Sequence, residues 1–136
     1  MVRTFALLFG IVFLAVGAAG FVPALAHPAT HDGLTMTQGS AMLLGLFPVN
    51  ILHNVVHLLF GLWGVMAYRS ISGSIGYFRA VAVIYALLTV LGLLPQTNTL
   101  FGFVPLQGND VWLHALLAIV AAYFGFAHRE RAVVDA

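Results

Sequence analysis

Two short segments of the chain concentrate the side chains that could do chemistry. Each places amide, histidine or aspartate side chains at the start of a long apolar stretch. On a helix, positions three or four apart lie on one face, so each set would form a polar stripe on an otherwise apolar helix. We call these residues the polar cluster, and its members are Asn50, His53, Asn54, His57, Asn109, Asp110 and His114.

The histidines of the polar cluster have the spacing of metal ligands. His53 and His57 are four positions apart and would present two imidazoles on one helical face. His114 would supply a third imidazole, and Asp110 would be a ligand or would support one. Three imidazoles and an open position fit Zn or Cu. The alternative cofactor is haem, with His57 and His114 as axial ligands from its two sides.

The simplest interpretation of the polar cluster is structural. Polar side chains inside a membrane hold helices together, at about 0.6 kcal/mol for an average interhelical hydrogen bond. The amides and histidines of the first segment would then pair with Asp110 and His114. On this interpretation the chain carries no cofactor by default and has a structural or interaction role.

The sequence favours two further classes of function less. A small transporter or proton-handling protein would use Asp110 and His114 as a relay, because histidine titrates near neutral pH. The inner part of the spans offers small residues rather than a polar path. A conventional enzyme is not expected, since the serines lack an elbow motif and the sequence has no phosphate-binding glycine loop and no cysteine.

The composition indicates that lipid is the solvent of this chain. Of its 136 residues, 62% are hydrophobic and 7% are charged, whereas soluble domains carry about 25% charged residues. A single soluble core of this size could not bury so much apolar surface. The formal net charge of +1 argues against a nucleic-acid partner.

Four continuous apolar stretches predict an all-α membrane protein with a four-transmembrane-helix bundle. Each is close to the ~20 residues that a bilayer requires, and none alternates as a barrel strand would. Residues 1–136 are expected to form a single integral membrane domain. The spans are 4–25, 49–67, 78–94 and 111–127, joined by outer loops 26–48 and 95–110 and an inner loop 68–77.

The basic residues orient this bundle. All five fall on one side of the predicted membrane, and the two outer loops contain none. The positive-inside rule makes that side cytoplasmic, so both termini are expected in the cytoplasm of a bacterium and the chain in its inner membrane. The basic residues are Arg3, Arg69, Arg79, Arg129 and Arg131.

The first span has an alternative interpretation as a secretory signal peptide. Arg3, an apolar run and Ala24-Leu-Ala26 have the layout of a cleavable signal. The apolar run is longer than the usual core of a signal, and Ala6, Gly10, Gly17 and Gly20 share a face that permits close helix packing. We therefore expect a retained helix. The polar loop that follows holds His27, His31 and Asp32, which we interpret as solvated residues rather than a metal site.

The two halves of the chain resemble each other, which predicts a repeat. A shift of 57 positions brings Gly45 onto Gly102, Pro48 onto Pro105, Asn50 onto Gln107 and His57 onto His114. The chain would then be two parallel helix pairs related by an axis along the membrane normal. His57 and His114 would be equivalent positions that face each other across the bundle.

At these residues the chain resembles a known bacterial membrane family, domain of unknown function 4383. The segments LLGLFPVNILHNVVHLLFGLWG and FVPLQGNDVWLH are similar to its two signature segments, and GIVFLAVGAAGFVP is similar to its start. The signature positions map onto the polar cluster, although Gln107-Gly-Asn109-Asp110 departs from the Asn-rich turn that members commonly show. The resemblance implies a four-helix membrane architecture and no established activity. Partners are expected to be the lipid bilayer, with a homo-oligomer or a membrane protein partner left open.

Overall fold

The computed structural model describes residues 1–28, 37 and 39–128. Four α-helices dominate it, and the last one continues into a π-helical turn, Tyr123–Ala127. A small antiparallel sheet, in the order β1-β2-β3, precedes the second helix. The elements are α1 Val2–Ala19, β1 Ala26–Pro28, β2 Ala41–Leu43, β3 Phe47–Val49, α2 Ile51–Ala67, α3 Ile71–Leu93 and α4 Asn109–Ala122.

The predicted all-α membrane class is confirmed, with the small sheet as an addition. Three helices, Val2–Ala19, Ile71–Leu93 and Asn109–Ala127, are long and apolar enough to cross a membrane. The fourth helix, Ile51–Ala67, is apolar but shorter. Large apolar side chains such as Leu59 point outward from the bundle, which suits helices that are surrounded by lipid.

The starts of α2 and α4 are set by the residues that precede them. Pro48 lies in strand β3, and Asn50 is the N-cap of α2. Neither Asn109 nor Asp110 caps α4. Gly108 does so with φ of 70°, a left-handed conformation that glycine adopts without steric cost.

Helix α3 begins earlier than the predicted apolar span. Ser70 accepts a hydrogen bond from the backbone N–H of Gly73 at 3.0 Å and starts the helix there. Most of the segment assigned to the inner loop is therefore helical. The serines and glycines of this segment resemble a loop in sequence, because both residue types are poor helix formers.

Helices α1 and α2 pack with their backbones almost in contact. A Cβ atom added to Gly10 would lie 2.6 Å from the backbone nitrogen of Val65. A Cβ on Gly61 would lie 2.7 Å from the backbone nitrogen of Leu14. The small face that was predicted for the first span is thus the packing face of α1, as in other membrane helix pairs.

The backbone repeats itself at the two turns that precede α2 and α4. Leu44 and Gly45 have φ of 53° and 70°, and Phe101 and Gly102 have φ of 59° and 91°. Positive φ is rare outside glycine, so its recurrence at positions related by the 57-position shift supports the predicted parallel repeat. The packing of the helices also agrees with this repeat, because α1 packs mainly along α2, and α3 packs mainly along α4.

Two arginines bind backbone carbonyls in equivalent ways at the end of the bundle that lies away from these two turns. Arg3 donates from Nε to the carbonyl of Tyr68 at 2.8 Å, and Arg79 donates from Nε to the carbonyl of Gly125 at 2.8 Å. The two acceptors are related by the same 57-position shift. The arginines and the polar cluster therefore lie at opposite ends of the helices.

Candidate metal centre

Three histidines of the polar cluster meet at one point between α2 and α4. One ring nitrogen from each of His53, His57 and His114 lies within 4.8 Å of the others. The three residues are 3%, 5% and 1% exposed. The i, i+4 spacing places the first two on the inner face of α2, and the repeat places the third opposite them on α4.

Asn50 fixes the start of α2 above this point. Its Oδ1 accepts from the backbone N–H of His53 at 2.9 Å. Its Nδ2 donates to the carbonyl of Phe103 at 2.7 Å and to Oγ1 of Thr37 at 3.2 Å. The expected pairing of Asn50 with Asp110 or His114 is therefore wrong, because the amide of Asn50 already bonds the backbone of His53, the carbonyl of Phe103 and the hydroxyl of Thr37.

Asp110 lies against two of the three histidines. Its Oδ2 is 3.4 Å from Nε2 of His114 and 4.0 Å from Nε2 of His53. The residue is 1% exposed and sits in the first turn of α4, where the helix dipole favours a negative charge. Oδ2 makes no hydrogen bond within the described residues, so the carboxylate lies beside two imidazoles at the distances of an ion pair, where it could orient them around a bound metal.

One ring nitrogen of each histidine, Nδ1, lacks a well-formed hydrogen bond, although the ring of His53 also lies near the backbone of Pro48. Nδ1 of His53, His57 and His114 is buried and makes no hydrogen bond within the described residues. An unsatisfied buried polar atom costs about 1–3 kcal/mol, so three at one point require an explanation. A bound metal ion, which accepts the lone pair of each Nδ1, would explain them.

The size of the histidine triangle fits a first-row metal ion. Three atoms within 4.8 Å of one another have a common centre at most about 2.8 Å from each, compared with the ~2.0–2.1 Å of a Zn–N bond. Rotation of the rings by less than an ångström at the nitrogen would close that difference. The donor set contains imidazoles without thiolates, which suits Zn or Cu(II).

A haem fits the same residues less well. A porphyrin between His57 and His114 needs a flat space around the iron on both sides. The ring centroid of His53 lies 4.5 Å from that of His57 and 6.1 Å from that of His114. A third imidazole thus stands beside both axial positions, and a compact ion suits the cluster better than a macrocycle.

The two remaining amides of the polar cluster lie away from the histidines. Asn54 is buried against α1, where a Cβ on Gly20 would collide with its side chain. Asn109 is exposed and donates from Nδ2 to the carbonyl of Leu46 at 3.2 Å. The carbonyls of Leu46 and Phe103 are related by the repeat shift, so the asparagines tie the two halves together reciprocally.

Aromatic rings enclose the histidines on the side of the bundle core. Tyr85 lies edge-on to His114 at 4.9 Å between ring centroids, and Phe13 lies 5.5 Å from His57. Thr37 and Phe103, which hold Asn50, were not predicted as site residues, because one contributes a hydroxyl from a distant loop and the other only a carbonyl. Of the loop residues considered as a weaker metal site, His31 and Asp32 lie outside the described residues, and His27 is exposed.

Two cavities reach the histidines from different sides. A small one of about 80 Å³ lies between α2, α3 and the 100–106 loop and is lined in part by His53 and Tyr85. A larger one of about 370 Å³ lies between α1 and α4. His57 and His114 line both, so the cluster separates the two spaces. The small cavity exceeds the ~10–15 Å³ needed by one water molecule.

Comparison with known proteins gives one match. The family described as "Domain of unknown function (DUF4383)" matches residues 3–127, which include all four helices except the first residue of α1, and the whole polar cluster. No curated protein matches the chain. No solved structure matches it either. The match therefore assigns a family and leaves the chemistry to be derived from the residues.

Proposed function

The chain belongs to the family of domain of unknown function 4383, and from its own residues we propose that it is a metal-binding integral membrane protein. The ligands are His53, His57 and His114, and the ion is zinc or copper. The observation that carries this proposal is the convergence of three buried imidazoles within 4.8 Å of one another, each with an unpartnered Nδ1.

The donor set determines the type of metal site. Closed structural zinc sites use four protein ligands, whereas catalytic and exchange sites use three and keep one position open. Asp110 faces two of the imidazoles on Nε2 and would fix their orientation while balancing part of the charge of the ion. The bound ion would supply Lewis acidity at its open position.

Elemental analysis of the purified protein tests this function. The protein is expressed with a tag free of histidine, because a polyhistidine tag would bind the same metals. We expect about one zinc or copper per chain in the wild type, and loss in His53→Ala, His57→Ala and His114→Ala. His27→Ala and His128→Ala are the matched controls and should retain the metal. Equal metal content in all six proteins would refute the proposal.

A purely structural network is the second candidate function. It is favoured by the hydrogen bonds of Asn50 to Phe103 and Thr37, which join the two repeats without any metal. This function predicts a metal-free wild type that stays metal-free on addition of zinc. It also predicts that His57→Ala lowers only thermal stability. An absorbance spectrum from the same sample tests haem, which would give a Soret band.

The topology is part of the same proposal: a bacterial cytoplasmic membrane, with both termini in the cytoplasm and the histidines near the outer face. The clustering of Arg3 and Arg79 at the end opposite the histidines supports it. Helices of this composition are compatible with a lipid bilayer. A homo-oligomer or a membrane protein partner remains a prediction.

Cysteine labelling tests this topology, because the chain has no native cysteine. Gln96 and Ser72 are exposed and lie beyond opposite ends of α3's apolar core. We expect an impermeant maleimide to label Gln96→Cys in intact cells and to label Ser72→Cys only after the membrane is opened. The reverse pattern would contradict the proposed orientation.

A further inference from the structure

The larger cavity is a groove that runs along α1 and opens between α1 and α4. These helices pack along α2 and α3, respectively, and leave the space between them unfilled. The groove has a volume of about 370 Å³, within the range of small-molecule sites. Its lining is apolar apart from two imidazoles, and its residues include Phe5, Phe9, Val16, Leu113 and Leu117, together with His57 and His114.

The groove has a polar end and a closed apolar end. His57 and His114 line the groove near the outer end of the helices, where the ring of His57 lies 5.5 Å from that of Phe13 on α1. Toward the arginine end, Phe5 stacks on Phe124 at 4.3 Å between ring centroids and closes the space. From Phe5 to Val16 the groove follows α1 for about 16 Å at 1.5 Å per residue.

The long side of the groove is open to the surroundings of the bundle. Leu8 and Val12 line it and are 48% and 56% exposed. In a bilayer these side chains face lipid. A molecule dissolved in the outer leaflet could therefore enter sideways, with its polar end at the histidines and its chain along α1.

We propose that this groove binds a single-chain lipid carboxylate, such as a free fatty acid, whose head completes the coordination of the metal ion. This inference rests on the proposed metal site. The apolar lining and the volume of about 370 Å³ suit one alkyl chain, and carboxylate oxygen is a normal zinc ligand at about 2.0–2.2 Å. The head would occupy the position that the three imidazoles leave open.

Charge selects a carboxylate over a phospholipid. A phosphate head is normally held by arginine or lysine, and the described basic residues, Arg3, Arg69 and Arg79, lie toward the opposite end of the helices. Among the described residues, no arginine or lysine lies near the three histidines to pair with an anion when the site holds no metal. Binding of a carboxylate should therefore depend on the ion.

Binding of radiolabelled oleate to the protein in phosphatidylcholine nanodiscs tests the inference. Oleate is the probe, oleyl alcohol is the competitor with the same chain and no charge, and each measurement is made on metal-free and zinc-loaded protein. We expect zinc to raise oleate affinity at least about tenfold, because the carboxylate is then charge-paired. Oleyl alcohol should compete weakly.

Two variants that fill the groove are compared with one that does not. Leu113→Trp and Val16→Trp add bulk on opposite walls, so either one suffices if the other fails to fold. Leu116→Trp is the control, since Leu116 is on the same helix as Leu113, is 57% exposed and does not line the groove. The filling variants should keep zinc and lose oleate binding at least about tenfold, and the control should keep both.

The outcomes separate this inference from the metal site itself. Zinc binding without zinc-dependent oleate binding would overturn the inference and leave the proposed function intact. Equal affinity for oleate and oleyl alcohol, or equal loss in Leu116→Trp, would also overturn it. A protein that binds no zinc at all would refute the metal site and the inference together.

Discussion

Replacing Asp110 by Asn is the substitution that probes the metal site most selectively. It keeps the size and shape of the side chain and removes its negative charge. Oδ2 of Asp110 lies 3.4 Å from Nε2 of His114 and 4.0 Å from Nε2 of His53, so a single change acts on two of the three proposed ligands. The imidazoles themselves remain in place.

The expected loss follows from this double contact. Removing one partner that orients a metal-ligating histidine typically costs 10–100-fold in affinity. Because the carboxylate faces two imidazoles, we expect zinc affinity to fall toward the upper end, by about 100-fold, which corresponds to about 2.7 kcal/mol. A direct ligand would cost more and would also change the number of protein donors.

Competition with a zinc-binding dye in detergent measures this loss. Asn109→Ala is the matched control, since the neighbouring residue is exposed and bonds the carbonyl of Leu46 rather than the histidines. Its zinc affinity should equal that of the wild type. An Asp110→Asn affinity within about twofold of the wild type would refute the proposed role of the carboxylate.

Three further predictions concern the scaffold and the chemistry of the site. Gly61→Leu should lower the free energy of unfolding by about 1–3 kcal/mol, because its Cβ would lie 2.7 Å from the backbone of Leu14; Gly76→Leu, in open space, is the control in a thermal denaturation assay. Asn50→Ala should cost about 1–2 kcal/mol through loss of the cap and the bond to Phe103, and an unchanged melting temperature would contradict this. Zinc affinity should fall between about pH 7.5 and about pH 4, since protons compete for imidazole; equal affinity at the two ends of this range by equilibrium dialysis would exclude histidine ligands.

The meeting of His53, His57 and His114 could be predicted from the sequence. The i, i+4 spacing fixes two imidazoles on one face of α2, and the repeat places the third at the equivalent point of α4. The first signal depends on helical periodicity and the second on the similarity of the two halves, and both can be recognised in a single sequence.

The small sheet and the turns at Leu44 and Phe101 could not be predicted in the same way. Each strand of the small sheet has three residues, and β3 contains Pro48, so neither length nor composition marks it as a strand. The left-handed conformations of Leu44 and Phe101 fall on residue types that rarely adopt them. Tertiary contacts, such as the bond from Asn50 to Phe103, impose these features.

The groove between α1 and α4 was also not predicted. Its walls are apolar residues such as Phe9 and Leu117, whose sequence pattern is the same whether a neighbouring helix or lipid covers them. Only the observed pairing of helices shows that one flank of α1 is left uncovered beside His57. Helix patterning gives the faces of a membrane bundle but not the contacts between them.

An X-ray absorption spectrum at the zinc edge of the zinc-loaded protein tests the central claim most directly. The account predicts a first shell dominated by three imidazole nitrogens at about 2.0–2.1 Å, with the scattering pattern of intact rings. In His114→Ala, which should lose the purified metal, added zinc should show at most two imidazole nitrogens. A shell made of oxygen alone, or one that is unchanged in His114→Ala, would contradict a metal site built from His53, His57 and His114.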